Sequence, residues 1–475
     1  MRTIKEYHLS NSTEFKEKLL SWSNQFDEIA WMDSNKYPQK TSNFDQILAV
    51  QAFTAIKTDA HGAFDRLGEY QESTRDWIFG YLSYDLKNDV ENLTSNNFDG
   101  LQFPDLYFFQ PAKIFLIKDD KLELHYLKMV DDEMDDDFEE INRYEIGDVG
   151  CESMADRKGG IENREESKEE REEKTEKREE RKDNREELRE NRQETEAINA
   201  RISQGSYLQK VNKLLSYIHR GDIYEANFCQ EFYAEKIEID PLGVFEKLNK
   251  ISSSPFAAFL KLEKNYLLSA SPERYLKKEG LKIISQPIKG TARREIDKVE
   301  DAKIAEALSK DSKEVSENVM IVDLVRNDLS KIAKRGSVKV EELCKVYSFK
   351  QVHQMISTIS AELDPQISPV EVLRATFPMG SMTGAPKISA MKIIEELEET
   401  KRGLYSGAVG YFTPDGDFDF NVVIRSILYS SENKYVSFSV GGAITSKSIP
   451  ELEYEECLLK AKAMRDSLNS KFERN

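Results

Sequence analysis

A long stretch of charged and polar residues interrupts this chain and strongly limits how it can fold. From Asp156 to Glu196 most residues are Glu, Arg, Lys, Asn or Gln, and Ile161 and Leu188 are almost the only large apolar residues. Such a segment buries too little apolar surface to offset the entropy lost on ordering, so we predict a disordered or solvated helical insertion. An interaction arm is the alternative. The chain then divides into an N-terminal folded part, a charged linker and a C-terminal core, at residues 1–150, 151–203 and 204–475.

Composition disfavours several classes of partner. The 475 residues include 68 Lys and Arg against 87 Asp and Glu, which gives a formal net charge of −19. This acidic balance argues against a nucleic-acid groove or an anionic membrane surface as the main partner. No run approaches the roughly 18 apolar residues of a membrane span, and the N-terminal residues contain no apolar targeting segment. The four cysteines form neither a zinc motif nor a C-x-x-C pair, so we expect reduced thiols and a cytoplasmic protein.

Both folded parts contain apolar runs separated by polar turns. Residues 47–50, 77–82 and 113–117 are strand-like in the first part, as are 256–262 and 266–271 in the second. Apolar residues at helical spacing predict a helix from Tyr207 to His219. Both parts are therefore expected to mix strands and helices.

One lysine has an unusual backbone setting. Lys289 lies between Pro287 and Gly290, after an apolar strand-like run and before a long helical pattern. A lone lysine is usually a hydrated surface residue, but a strand end next to glycine allows close approach of a ligand. A Glu-Gly turn upstream predicts a hairpin that places Glu273 opposite Gln286, on the order of 10 Å from Lys289.

A carboxylic acid beside an amine can displace a hydroxyl group. The amine attacks while the acid protonates the departing oxygen. For this the lysine pKa must fall from about 10.4, through burial or a neighbouring positive charge. Arg293 or Arg294 could supply that charge. The hypothesis therefore assigns Lys289 as nucleophile and Glu273 as acid.

Two pairs of glutamates occur at helical spacing. Glu314 and Glu317 lie three residues apart in one helical pattern, and Glu453 and Glu456 repeat that spacing near the C-terminus. Each pair alone is most simply a solvated helix face. Brought together, they would supply hard oxygen ligands suited to Mg²⁺, and the absence of histidine disfavours zinc.

A predicted β-meander supplies a third set of polar groups. Its first turn, at 414–416, places Tyr405 beside Arg425, and its second turn brings Arg425 towards Gly441 and Gly442. Arginine, a tyrosine hydroxyl and glycine amides can bind a carboxylate, although an ordinary sheet with one cross-strand arginine is the alternative. The glycine-rich run that contains Thr383 does not match the phosphate-loop pattern.

Several of these motifs together resemble the chorismate-utilising enzymes. The resemblance covers about residues 204–465 and rests on P-I-K-G-T at 287–291, the helix at 314–329, G-A-P-K at 384–387 and E-Y-E-E at 453–456. The first folded part is similar to the accessory part of that family at 31–34 and 80–85. The resemblance implies an α+β fold in which large antiparallel sheets pack against outer helices.

The resemblance also implies residue roles. Mg²⁺ would be held by Glu314, Glu317, Glu453 and Glu456 and would bind the ring carboxylate of chorismate. The other substrate contacts would come from Arg425, Tyr405, Gly441, Gly442, Thr383, Lys460 and His353. Lys289 would attack ring carbon C2 while Glu273 protonates the C4 hydroxyl, and ammonia would then replace the lysine at C4. Ala443 departs from the family, which usually has a third glycine there.

Lys289 also distinguishes the subgroups. The closest subgroup is component I of aminodeoxychorismate synthases, which make 4-amino-4-deoxychorismate for 4-aminobenzoate and folate synthesis. Anthranilate synthase component I, the nearest alternative, usually has alanine where this chain has Lys289. Isochorismate-forming relatives place a base lysine at the position of Glu225. A binding protein without turnover is a third alternative.

The resemblance further implies a partner. Family members of this kind receive ammonia from a glutamine amidotransferase, and no Cys-His-Glu constellation for that activity is evident in this sequence. We therefore expect a separate amidotransferase subunit. The segment around Ser34 resembles the amino-acid pocket of the family, so a bound tryptophan is a further expectation.

Overall fold

The structure is a computed structural model that describes residues 1–37, 44–144, 198–349 and 352–469. The charged run from Asp156 to Glu196 lies outside the described residues. These residues form 20 strands and 11 α-helices. In the first folded part the elements are β1 (Arg2–His8), α1 (Ser12–Ser23), β2 (Glu28–Asp33), β3 (Gln46–Thr58), α2 (Ala63–Thr74), β4 (Ile78–Leu82), α3 (Lys87–Val90), β5 (Leu106–Lys118), β6 (Lys121–Leu127) and α4 (Met134–Arg143).

The second folded part contains the remaining elements. Its first half comprises β7 (Asn199–Ala200), α5 (Gln204–Arg220), β8 (Glu225–Ala234), α6 (Pro241–Ser252), β9 (Phe256–Leu262), β10 (Asn265–Ser271), β11 (Arg274–Glu279), β12 (Lys282–Gln286), β13 (Ile288–Arg293), α7 (Lys298–Lys310) and α8 (Ser312–Ser330). Its second half comprises β14 (Lys339–Ser348), β15 (Val352–Glu362), α9 (Pro369–Thr376), β16 (Gly384–Ala385), α10 (Lys387–Leu397), β17 (Ala408–Phe412), β18 (Phe418–Val422), β19 (Ser426–Ser430), β20 (Tyr435–Thr445) and α11 (Pro450–Asn469).

Antiparallel pairing joins these strands into one branched sheet. One arm runs β8–β20–β19–β10–β9–β2–β3–β5, and the other continues from β5 through β4–β17–β18–β11–β12–β15. Strands from the first folded part therefore pair directly with strands from the second. The fold class expected from the family resemblance, α+β with large antiparallel sheets, is confirmed.

Two apolar cores follow from the two faces of the strands. In β3, Ile47 and Ala49 lie in one core while Leu48 and Val50 lie in the other, as the two-residue period of a strand requires. The first core lies among β-strands of both arms and includes residues of α2, α8 and α9. The second lies beneath the outer helices α1, α4, α5, α6, α10 and α11. A sheet buried on both faces provides rigid positions for functional side chains.

Strands are found at all five predicted runs, but β3 extends to Thr58, well beyond the predicted 47–50, and β5 begins at Leu106, well before the predicted 113–117. The helix at 207–219 is confirmed within a few residues at each end. Within the described residues, no helix is both long enough and apolar enough to cross a membrane.

Candidate active site

Lys289 lies at an irregularity in strand β13. The ladder between β13 and β15 shifts register between Ile288 and Thr291, which leaves Lys289 and Gly290 at the shift. Such bulges redirect side chains and are common beside active sites. Gly290 has φ +84°, and a Cβ atom there would lie 3.1 Å from Oε2 of Glu314. Glycine therefore allows helix α8, which carries Glu314, to pack closely on the strand beside Lys289.

The side chain of Lys289 is surrounded by carboxylates. Its Nζ lies 3.8 Å from Oε1 of Glu225, and the side chain is 13% exposed. Burial lowers the Lys289 pKa, but attraction to Glu225, followed by Glu317, Glu273 and Glu314, outweighs it, so the pKa is raised above its ordinary value. The amine is therefore an ammonium at neutral pH.

The predicted source of positive charge is wrong for this structure. Arg294 pairs with Asp301 at 2.8 Å and donates to the carbonyl of Phe349, while Arg293 is exposed. The Lys289 pKa is raised and not lowered as predicted, because attraction to the nearby carboxylates dominates.

Glu273 lies in the short turn between β10 and β11, and its side chain is buried. Its amide donates to Oγ of Ser271, and its carbonyl accepts from the amide of Val422. Burial raises the pKa of Glu273 to about 7, against smaller opposing effects from the Ser381 hydroxyl, Lys289 and the Ile288 amide. A carboxyl group with a pKa near neutrality is suited to general acid catalysis.

The hairpin that connects Glu273 to Lys289 differs by one residue from the prediction. Arg274, and not Glu273, pairs with Gln286, because the turn lies one position later than predicted, between Glu279 and Lys282, and the bulge between Arg274 and Lys277 offsets only part of the resulting shift. The prediction placed the turn at Glu279 and Gly280, whereas the residues between the paired positions are Gly280 and Leu281. The two functional groups nevertheless interact, since Lys289 and Glu273 act on each other's pKa.

The four predicted metal-binding glutamates come from two helices. Glu314 and Glu317 lie on α8, and Glu453 and Glu456 lie on α11. Nζ of Lys313 lies 3.3 Å from Oε1 of Glu453 and 3.9 Å from Oε1 of Glu317, so it bridges the two helices. The helices therefore bring both glutamate pairs to one region.

This region has the chemistry of a cation site. Oε1 of Glu317 is buried and has no hydrogen-bond partner among the described residues, and burial raises the pKa of Glu317 to about 7. Burial also raises the Glu314 pKa. No three acidic, His or Cys side chains within the described residues are grouped as a metal site, and the lysine ammonium lies between the carboxylates instead. Carboxylate oxygens are the ligand type that Mg²⁺ prefers, and Mg²⁺ at this region stays a prediction.

Arg425 lies at the predicted junction between β18 and β19. Its backbone is left-handed, with φ +53°, and its carbonyl accepts from the amide of Ala270. The half-buried guanidinium makes no hydrogen bond or ion pair with any described residue, and burial lowers its pKa against attraction to Tyr405 and Glu456. An unpaired, desolvated guanidinium is a strong candidate for binding a carboxylate.

Tyr405 lies beside Arg425, in the turn before β17. Its hydroxyl is 3.4 Å from Sγ of Cys229, and burial raises its pKa well above the ordinary value. The predicted register of this hairpin is off by one residue, since Ala408 pairs with Val422. Tyr405 nevertheless lies close enough to Arg425 to act on its pKa, despite this shift in register.

Gly441 and Gly442 are strand residues rather than exposed loop glycines. In β20 they pair with Cys229 and Phe228, and Nζ of Lys460 donates to the carbonyl of Gly441 at 2.8 Å. Lys460 also pairs with Glu456 at 2.7 Å. A Cβ atom on Gly442 would lie 3.3 Å from Oε2 of Glu453, so this glycine borders the carboxylate group.

Two other predicted contacts have internal partners. The buried hydroxyl of Thr383 donates to the carbonyl of Gly380 at 3.2 Å. Both ring nitrogens of buried His353 are engaged, with Oδ1 of Asp301 and Oγ of Ser348, each at 2.9 Å. His353 therefore ties β15 to α7 and β14. Substrate contact by Thr383 and His353 stays a prediction.

Ser34 lines a separate small cavity of about 50 Å³. Oγ of Ser34 and Oδ1 of Asn421 are buried there without a hydrogen-bond partner among the described residues. Aromatic rings of Phe44, Phe256 and Tyr411 form part of its wall. Unsatisfied polar atoms beside aromatic surface fit a small amphipathic ligand.

Sequence reasoning missed two charged residues of this site. Glu225 approaches Lys289 from the start of β8, and Lys313 lies between carboxylates of α8 and α11. The family resemblance identifies Glu225 only as the position of a base lysine in isochorismate-forming relatives. Glu225 and Lys289 lie far apart along the chain, so no local sequence pattern indicates that their side chains are close.

Comparison with known proteins agrees with this geometry. A family model described as chorismate binding enzyme matches residues 24–466. The chain belongs to this family. Within the family, it is similar to aminodeoxychorismate synthase component 1 of Escherichia coli (strain K12), with 42% identity over 257 residues, 54% of this chain and 56% of that protein. The alignment thus spans little more than half the length of that relative.

Anthranilate synthase component 1 of Thermus thermophilus is 33% identical over 387 residues, which cover 82% of this chain and 76% of that protein. Among solved structures, anthranilate synthase component I of Streptococcus pneumoniae superposes with a TM-score of 0.70 at 24% identity, covering 90% of this chain and 94% of the other. That structural likeness shows the shared fold.

Proposed function

We propose that this chain is the chorismate-aminating component of an aminodeoxychorismate synthase, which forms 4-amino-4-deoxychorismate from chorismate and ammonia for 4-aminobenzoate and folate synthesis. This proposal rests on two groups that act on each other's pKa: the amine of Lys289 and the carboxyl group of Glu273. Burial raises the pKa of Glu273 to about 7. An amine and an acid close enough to act on each other's pKa support displacement of a hydroxyl through a covalent adduct. The names of relatives such as those in Escherichia coli and Arabidopsis thaliana support the same reaction.

In the proposed reaction, the Lys289 ammonium first gives a proton to a neighbouring carboxylate, and the neutral amine then attacks C2 of chorismate. The ring double bonds shift, the C4–O bond breaks, and Glu273 gives its proton to the departing hydroxyl, which leaves as water. Ammonia then adds at C4 and expels Lys289 as a free amine. The new C4 ammonium returns one proton to Glu273, and Lys289 takes back the proton that it released before the attack, so both groups end in their starting protonation states.

Substrate would be held at both ends. Arg425 and Tyr405, with the backbone of Gly441 and Gly442, would bind the enolpyruvyl carboxylate. Glu314, Glu317, Glu453 and Glu456 would hold Mg²⁺, which when bound would neutralise the ring carboxylate. Lys313 would have to leave its position between Glu317 and Glu453 for that to occur.

Ammonia would come from a separate glutamine amidotransferase. The word component in the relatives' names fits a two-part enzyme. We place the protein in the cytoplasm, where its cysteines would stay reduced; Cys229, Cys344 and Cys457 are free thiols in the structure. The Ser34 cavity is the proposed site for an amino acid such as tryptophan.

Anthranilate synthesis is the second candidate, because the Thermus thermophilus relative aligns over 82% of this chain. One experiment separates the two. Purified protein is incubated with chorismate, Mg²⁺ and ammonium, and an aminodeoxychorismate lyase is then added. We expect 4-aminobenzoate only after the lyase; anthranilate formed without the lyase would refute the proposal, and so would the absence of any product.

A second assay tests the partner. With glutamine in place of ammonium, product should form only after addition of a glutamine amidotransferase subunit. Product from glutamine with this chain alone would contradict the requirement for a partner.

A further inference from the structure

The buried carboxylate of Glu225 has one close partner in the site. Its side chain is 2% exposed, Oε1 lies 3.8 Å from Nζ of Lys289, and Oε2 has no hydrogen-bond partner among the described residues. Burying a carboxylate oxygen without a hydrogen-bond partner costs free energy. Such a group therefore calls for a functional explanation. Of the carboxylates near Lys289, Glu225 is the one within 4 Å of Nζ in the described part of the chain.

The backbone at Glu225 is held on both sides. It pairs with Thr445 of β20 and with Ala385 of β16. Gly384 makes the second pairing possible, since a Cβ atom there would lie 2.2 Å from the carbonyl oxygen of Glu225. Gly384, in the glycine-rich run at 380–387, therefore lets β16 pack directly against the backbone of Glu225. A carboxylate on such a rigid position holds its partner in a defined geometry.

We propose that Glu225 is a positioning residue for Lys289, holding its ammonium in place and accepting the proton that the amine must release before attack. In this transfer an N–H bond of Lys289 breaks and an O–H bond forms on Glu225, so the charge of the pair stays zero. Three further carboxylates also act on Lys289. Glu273 lies in the turn before β11, and Glu314 and Glu317 lie on α8. This role rests on the proposed function, but the ion pair itself can be tested without it.

The test measures carbamylation of Lys289 by cyanate, quantified by peptide mass spectrometry over a range of pH. Cyanate is small and reacts with the free amine. Glu225→Gln removes the closest negative charge and keeps the side-chain shape, so the labelling rate at pH 8 should rise at least tenfold. Glu225→Asp withdraws the charge by one methylene and should give an intermediate rate.

Glu231 provides a matched control on the same strand. It is also buried, but it pairs with Arg201 and with the hydroxyl of Tyr435 at 2.9 Å. Glu231→Gln should leave the Lys289 labelling rate within twofold of the parent. If Glu225→Gln does not fold, Glu225→Asp decides the matter alone, because an unchanged labelling rate in that variant refutes the ion pair.

Turnover of chorismate with ammonium tests the positioning role. We expect Glu225→Gln to lower kcat at least tenfold while KM for chorismate stays within threefold. An unchanged kcat, or an unchanged labelling rate, overturns the inference. A parent protein without turnover in which Glu225→Gln still raises the labelling rate refutes the proposed function and supports the Glu225–Lys289 pair.

Discussion

Replacing Glu273 with glutamine should stabilise the protein at alkaline pH while removing its activity. Glu273 is 5% exposed, and burial raises its pKa from 4.5 to about 7. Glutamine has nearly the same shape, is neutral at every pH, and keeps an oxygen that can accept from Ser381 and Ile288. The variant therefore isolates the cost of burying the charge.

The magnitude follows from the pKa. The folded state holds the proton up to about pH 7, whereas the unfolded state loses it near pH 4.5. The cost to the parent is therefore absent below pH 4.5, grows between these values and is complete above pH 7. At ~1.4 kcal/mol per pH unit it reaches about 3 kcal/mol at pH 8, but only about 1 kcal/mol at pH 5. Glu273→Gln should gain these amounts relative to the parent.

Urea unfolding at pH 5 and pH 8 measures the difference. Glu432→Gln, at an exposed glutamate in the turn after β19, is the control and should change stability by less than 0.5 kcal/mol at either pH. An equal gain for Glu273→Gln at both pH values would show that Glu273 does not carry a raised pKa. A loss of stability at pH 8 would refute the reasoning outright. Activity with chorismate should fall at least ~100-fold at pH 7.

Three further predictions concern other parts of the site. Lys289→Ala should abolish any adduct of substrate mass seen by intact-protein mass spectrometry; an adduct that persists would assign the nucleophile elsewhere. Arg425→Lys should raise KM for chorismate at least ~10-fold, because a bidentate contact is lost, without lowering the melting temperature; an unchanged KM would remove Arg425 from the clamp. Gly384→Ala should lower the free energy of unfolding by more than ~2 kcal/mol in urea denaturation, since its Cβ would lie 2.2 Å from the Glu225 carbonyl and 2.8 Å from Cβ of Ala390; a change below 0.5 kcal/mol would contradict the close packing.

Much of the local structure was predictable because its signals are local. Apolar runs bounded by polar turns located β3, β5, β9 and β10, and the helical period located α5. The motif around Lys289 pointed to an amine in a close-packed setting, and Gly290 does pack against Glu314. Registers were less predictable. The turn after β11 lies one position later than the Glu-Gly signal suggested, and the bulge between Arg274 and Lys277 changes the register again, although a bulge leaves little trace in composition.

The residue types of the candidate site were readable from the sequence alone: a lysine, an acid, two glutamate pairs and an arginine. Their protonation states were not. The Lys289 pKa is raised because Glu225 approaches from β8, a strand that precedes Lys289 by more than sixty residues. Likewise, only the packed structure leaves Arg425 without a described partner and places Lys313 between the carboxylates. Charge interactions depend on distance and burial, and both are set by tertiary packing rather than by position along the chain.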